Sequence, residues 1–170
     1  GAFGTMLYAR CVYINQCYDS LNLHNAQLVR EIHGDYVAAG ADVVETNTFG
    51  ANRVKLRDHG VEGDLEAINR QGVVLAREAA GDAVFVAGAM GPLGLKIEPW
   101  GPTSVDEARA IFHEQAAALA AEGVDLFVLE TFGDLNEIHQ ALAAVRAVSD
   151  LPVVAQMTLQ EDGNSLYGTP

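Results

Sequence analysis

The chain has 170 residues, 49% of them apolar and 19% charged, enough for one globular domain with a sizeable core. Ten basic against 23 acidic residues leave a net charge of −13, which argues against nucleic-acid backbones and anionic membrane surfaces as partners. No apolar run approaches the ~18 residues that span a bilayer, no secretory signal pattern is visible, and two cysteines, Cys11 and Cys17, are too few for a disulfide scaffold, so a reducing cytoplasm is the expected location.

In chain order, GAFGTM carries glycines near a strand end and is expected to be the tail of a first strand; the start at Gly1, without Met, reads as a cut N-terminus. Residues 25–40 put Leu28, Ile32, Tyr36 and Val37 on one helical face and stop at Gly40. DVVET (42–46) is a strand. A helix over 64–81 turns Leu65, Ile68, Val73, Leu75 and Ala76 inward and stops at Gly81. AVFVAGAM (83–90) is a second strand. The Pro/Gly-rich MGPLGLKIEPWG, with Trp100, suits either a substrate-covering loop or a plain surface Ω-loop. A helix over 104–123 opens with Ser104 and Glu107, a capping box, and ends at Gly123. The strand DLFVLET (125–131) follows, then a helix over 134–149 with Asp134 and Glu137 at the same capping spacing, then the strand PVVAQMT (152–158). His33, His113 and His139 fall in helical segments and are expected on solvated faces.

Strands alternating with helices predict a parallel sheet with helices outside it. A unit of roughly 30–40 residues suits a (β/α)8 TIM barrel, whose full form takes about 250 residues. Residues 1–170 then form one partial barrel domain of the α/β class, roughly the first half, from the end of strand 1 to the start of helix 5 near the closing GTP. An open doubly wound sheet is the structural rival. A free-standing half barrel would leave apolar strand edges unpaired.

Both architectures put function at the C-terminal ends of the strands. There ADVVETNTFGA aligns without a gap on VDLFVLETFGD, pairing Asn47 with Glu130, Thr48 with Thr131 and Phe49 with Phe132. Alternation along a strand puts Glu45 and Asn47 on one face, and Glu130 on a face with Val128 and Leu126. Glu130 follows four apolar residues, so it is expected to be buried and to need a partner. Glu45, one layer deeper, is equally a structural ion-pair member or a ligand contact. Thr46, Thr48 and Thr131 suit a pocket but equally suit ordinary strand ends. Thr46 is expected to face the helices. The GAFGT backbone could hold a carboxylate. Cys11 and Cys17 lack the spacing of a zinc ribbon. No Lys stands at a strand end, which argues against a Schiff-base aldolase.

GAFGTML, ETNTFGANRVKL, AGAMGPLG, ETFGDLNE and MTLQEDGNSLYGT together resemble the homocysteine S-methyltransferase family over nearly the whole chain, in the manner of a methionine-synthase homocysteine-binding domain. KIEPWGPTS is similar to the bacterial members fused to a methylenetetrahydrofolate reductase domain. The resemblance implies a (β/α)8 barrel, methyl transfer to the thiol of homocysteine to give methionine, and zinc held by three cysteines. It implies Glu130 as the residue holding the homocysteine ammonium, Thr5 in the region receiving the carboxylate, and Asn47 and Thr48 lining the same pocket. No catalytic residue and no zinc ligand is expected within the segment: the zinc cysteines belong to motifs beyond residue 170, and Cys11 and Cys17 match neither. The acid that precedes the first glycine in the family is absent too. A methyl-folate, a methyl-cobalamin, a sulfonium or betaine all remain open as donor, and the oligomeric state is open. Another barrel enzyme with a carboxylate-lined pocket, lyase- or aldolase-like, and a non-catalytic barrel scaffold are the alternatives.

Overall fold

The computed structural model describes residues 3–13 and 15–168. Four strands, β1 (Val43–Glu45), β2 (Phe85–Met90), β3 (Leu126–Phe132) and β4 (Val153–Met157), form one parallel sheet in chain order. The helices α1 (Phe3–Ala9), α2 (Leu21–His24), α3 (Ala26–Ala38), α4 (Arg53–Arg57), α5 (Leu65–Ala80), α6 (Val105–Ala121) and α7 (Leu135–Val148) complete the architecture. Consecutive parallel strands joined by crossover helices are the barrel's repeating unit, not the reordered strands of a doubly wound sheet.

The ladder also carries the barrel's tilt. Glu45 pairs with Ala87, and Ala87 pairs with Leu126. In the sequence echo, however, Leu126 is the counterpart of Val43. The difference, 45 − 43 = 2 residues over two strand steps, is a stagger of one residue per strand, as a barrel of eight strands and shear eight requires. Repeat-equivalent positions such as Asn47 and Glu130 therefore stand at one level.

One sheet face and the helices enclose the main core. Val44, Val86, Met90, Phe127, Leu129 and Phe132 pack against residues of α5, α6 and α7. The alternate residues Val43, Phe85 and Val154 are 42%, 60% and 41% exposed on the opposite, concave face. Most helix ends fall where the sequence put them. Ser104 Oγ accepts from Glu107 N at 3.1 Å, and Gly123, just past α6, has φ 85°, a backbone that suits glycine.

Three expectations need correction, and a fourth falls outside the described residues. Residues 3–9 are helical, so the GAFGTM stretch is not a strand tail within the described residues, and Thr5 stands on α1 rather than in a loop. The expected opening of a fifth helix falls at residues 169–170, outside the described residues. His33 is 1% exposed, packed beside Phe3 at 5.0 Å between ring centroids, not solvated; His113 and His139 are exposed as expected. Asp134 does cap α7, accepting from Asn136 N at 2.9 Å, but buried Glu137 turns away and accepts from Leu93 N at 2.7 Å. It anchors the loop after β2 instead of closing a capping box.

Candidate functional site

The strand ends open into a cavity of about 400 Å³ on the concave side, walled by residues of β1, the 46–49 loop, β3, α3 and the segment before α2. Beyond Glu45 the chain leaves the ladder, and side chains take over its hydrogen bonds. Thr46 Oγ1 accepts from Ala89 N at 3.0 Å. Thr48 Oγ1 donates to Ala89 O at 2.8 Å and lies 2.6 Å from Thr46 Oγ1. Both threonines are buried, and the Thr46 hydroxyl bonds the β2 backbone from the side of the strand that also carries buried Val44. Asn47 spends both amide hydrogens on the fold, donating to Tyr18 O at 2.7 Å and Asn22 Oδ1 at 3.0 Å. Asn22 in turn donates to Asn47 O and Ile68 O at 2.8 and 3.0 Å. Gly72 on α5 permits this approach, because a Cβ there would lie 2.7 Å from Asn22 Nδ2 and from Thr48 Cγ2.

The end of β3 is built differently. The register slips between Leu129 and Phe132, and Thr131 has φ 64°, a left-handed conformation costly for a β-branched residue. The bulge leaves Thr131 exposed, on the wall of this cavity and of a second one of about 430 Å³. Glu130 is half-buried rather than buried, and among the described residues no Lys, Arg or His forms an ion pair with it. Glu45 is exposed into the same cavity and likewise lacks a cation, so the structural ion pair weighed from sequence is not formed among the described residues. The cavity walls around the Glu45 carboxyl, then the adjacent Glu130, hold its pKa above the ordinary carboxylate value.

Two further groups line the cavity. Asp19 accepts from Gly50 N at 2.9 Å. Burial pushes its pKa up to about 6, against the opposing pull of that bond and of Lys55. His33 is pushed down to about 4 by burial. Both escaped the sequence reading. Asp19 precedes a short helix and looks like an ordinary cap, and His33 sits in a polar stretch of α3. Lys55 stands 4.5 Å over the Phe49 ring, a cation–π contact at the cavity mouth. Thr5, by contrast, is exposed and does not line the cavity, although its neighbours Phe3 and Gly4 do. The second cavity lies between the loops after β2, β3 and β4, with Lys96, Glu137, Thr158 and Tyr167 in its wall. Trp100 stacks on Tyr167 at 5.0 Å and 8°.

The family model for homocysteine S-methyltransferase matches residues 1–170. The chain belongs to that family. It is 32% identical to a methionine synthase of Mycobacterium tuberculosis (strain ATCC 25618 / H37Rv), over 99% of this chain and 16% of that protein. With a methionine synthase of Mycobacterium leprae (strain TN) the identity is 31%, over 99% and 15%. The fold matches the homocysteine methyltransferase MmuM from Escherichia coli. The metallated form gives a TM-score of 0.86 at 26% identity, covering 100% of this chain and 65% of that one. The oxidized form gives 0.87 at 27%, covering 100% and 64%. The chain thus spans under two thirds of these proteins, and its sheet is part of a homocysteine S-methyltransferase barrel.

The resemblance to this family implies a thiolate-bound metal, and the described residues do not fit one. No group of three or more His, Cys, Asp or Glu is placed to hold a metal among them. Cys11 is exposed, and Cys17 has its thiol pKa raised by burial, the reverse of what a metal-binding thiolate needs. No helix among the described residues is long and apolar enough to cross a membrane.

Proposed function

We propose that this chain supplies the amino-acid-binding wall of an enzyme that transfers a methyl group to the thiol of homocysteine, giving methionine in the cytoplasm. The observation that carries the reading is Glu130: a carboxylate at the end of a barrel strand, aimed into a cavity and paired with no cation among the described residues. An α-ammonium group is the cation such a site accepts. The bulge at Thr131 aims this strand end, while Asn47 and Thr48 shape the pocket by pinning the 46–49 loop. Zinc belongs to the proposal as a group held by residues outside this segment, and nothing here assigns its ligands. The methyl donor, whether a methyl-folate or a sulfonium, stays open.

In the full-length polypeptide, Glu130→Gln keeps the shape and removes the charge. A charge-assisted hydrogen bond is worth about 1.5–3 kcal/mol, so homocysteine affinity should fall about tenfold to a hundredfold in calorimetric titration. Metal content should stay at the parental value. Parental affinity in the variant would make Glu130 a structural residue and remove the basis for the assignment.

A further inference from the structure

We propose that Thr131 is a ligand contact of the amino-acid pocket, its hydroxyl donating to the carboxylate of the amino acid whose ammonium Glu130 holds. The proposal rests on the homocysteine reading and adds the group that recognises the acid end of the substrate. The first ground is a backbone conformation that the fold does not use. Thr131 has φ 64°, in the left-handed region that is costly for a β-branched residue. A side chain kept in such a conformation is expected either to hold the structure or to meet a ligand. Thr131 does not hold the structure: it is exposed, and its hydroxyl makes no hydrogen bond among the described residues. Its repeat counterpart Thr48, by contrast, donates to Ala89 O at 2.8 Å.

The second ground is direction. Neighbours along a regular strand point to opposite faces, yet Glu130 and Thr131 both line the first cavity. The register slip between Leu129 and Phe132 brings them there. Their Cα atoms are about 3.8 Å apart. An α-amino acid carries its ammonium and its carboxylate on one carbon, so two consecutive residues that face one cavity match the spacing of its two charged groups.

The third ground is the supply of donors. Three acids, Asp19, Glu45 and Glu130, line the cavity, and no Lys or Arg does among the described residues. A ligand carboxylate entering there needs a neutral hydrogen-bond donor. Most of the hydroxyls and amides in the wall are already committed. Thr48 donates to Ala89 O, which leaves the Thr46 hydroxyl to donate to Thr48 Oγ1. Asn47 gives both amide hydrogens to Tyr18 O and Asn22 Oδ1, and Tyr18 donates to Val12 O at 3.4 Å. Thr131 and Tyr36 of α3 keep uncommitted hydroxyls among the described residues, and Thr131 is the one that adjoins Glu130.

Calorimetric titration of the full-length polypeptide with homocysteine and with its decarboxylated analogue, aminopropanethiol, separates the two ends of the ligand. The parent should prefer homocysteine. Thr131→Gly suits the left-handed backbone and removes the hydroxyl, so it should lose about tenfold or more in homocysteine affinity while binding the analogue as the parent does. Thr131→Ser keeps the hydroxyl and should restore the preference. A Thr131→Gly variant that binds homocysteine like the parent overturns the contact. Equal losses for both ligands overturn it too, and make Thr131 an orienting residue for Glu130. Loss of the preference in Tyr36→Phe, with Thr131→Gly unaffected, moves the role to α3 and overturns it likewise. If Glu130→Gln weakens homocysteine binding and Thr131→Gly does not, the contact falls and the proposed function stands. A parent that binds no homocysteine takes both down.

Discussion

The Thr-Phe-Gly at 48–50 and the Thr-Phe-Gly at 131–133 are identical in sequence, equivalent in the repeat and opposite in structure. Thr48 is buried and bonded to the β2 backbone, whereas Thr131 is exposed in a left-handed bulge. Phe49 is 36% exposed at the cavity mouth under Lys55, whereas Phe132 is fully buried against Phe112 at 5.9 Å. Gly50 gives its N–H to Asp19, and Gly133 O instead accepts from Leu166 N. The first end is spent on holding the fold, and the second is left free to face a ligand. One extra residue in the ladder of β3 separates the two outcomes, since a bulge changes which side of the sheet each later side chain meets.

Deleting the two phenylalanine rings breaks the comparison most openly. Phe132→Ala should cost about 3–5 kcal/mol, as for a buried aromatic, while Phe49→Ala should cost about 1 kcal/mol. Urea midpoints of the two variants check this, and equal losses would mean that the two ends are packed alike. Next in size is a pH effect at the β3 side. Burial pushes the Glu137 pKa up to about 7 from 4.5, so the native state holds a proton that the unfolded chain has released. Stability from this group is therefore fully present below about pH 4.5 and is lost as pH rises through about 7, by roughly 2–3 kcal/mol. Glu137→Gln should remove that falling limb from a plot of unfolding free energy against pH. His33, lowered to about 4, acts with the opposite sign and strengthens the fold as pH rises from about 4 to about 6.5.

The threonines give the smallest effects and the sharpest contrast, because the signs differ. Thr48→Val leaves Ala89 O and Thr46 Oγ1 short of a partner in the interior and should destabilise by about 1–3 kcal/mol. Thr131→Gly relieves the left-handed backbone and should stabilise by about 1 kcal/mol. Thermal melts of the pair test the signs directly, and a destabilised Thr131→Gly would show that its side chain holds the bulge in place.

The architecture was legible because periodicity and punctuation agree along the chain. Gly40, Gly81 and Gly123 all follow helices and all have positive φ, and Ser104 caps α6 as its spacing predicts. The place of Glu130 at a cavity wall was legible from its strand-end position, but the burial expected after four apolar residues was not, since it is half-buried. The bulge was not, since nothing in ETFG differs locally from NTFG, and only pairing with β4 reveals the slipped register. The helix at residues 3–9 was hidden by the glycines of GAFGT, which suit a strand end equally well. The bonds of Asn22 escaped because all of them join residues far apart in the chain, where a sequence pattern carries no signal.

The Trp100–Tyr167 stack has an optical consequence. Trp100 is the only tryptophan of these 170 residues, 52% exposed and lying flat on a phenol ring from the loop after β4. The indole emission of this segment therefore comes from a single site, and the colour and intensity of that emission depend on whether the tips of two strand-end loops stay in contact across the mouth of the second cavity. The molecule carries its own unlabelled fluorophore at the place where those loops would have to part to admit anything into that cavity.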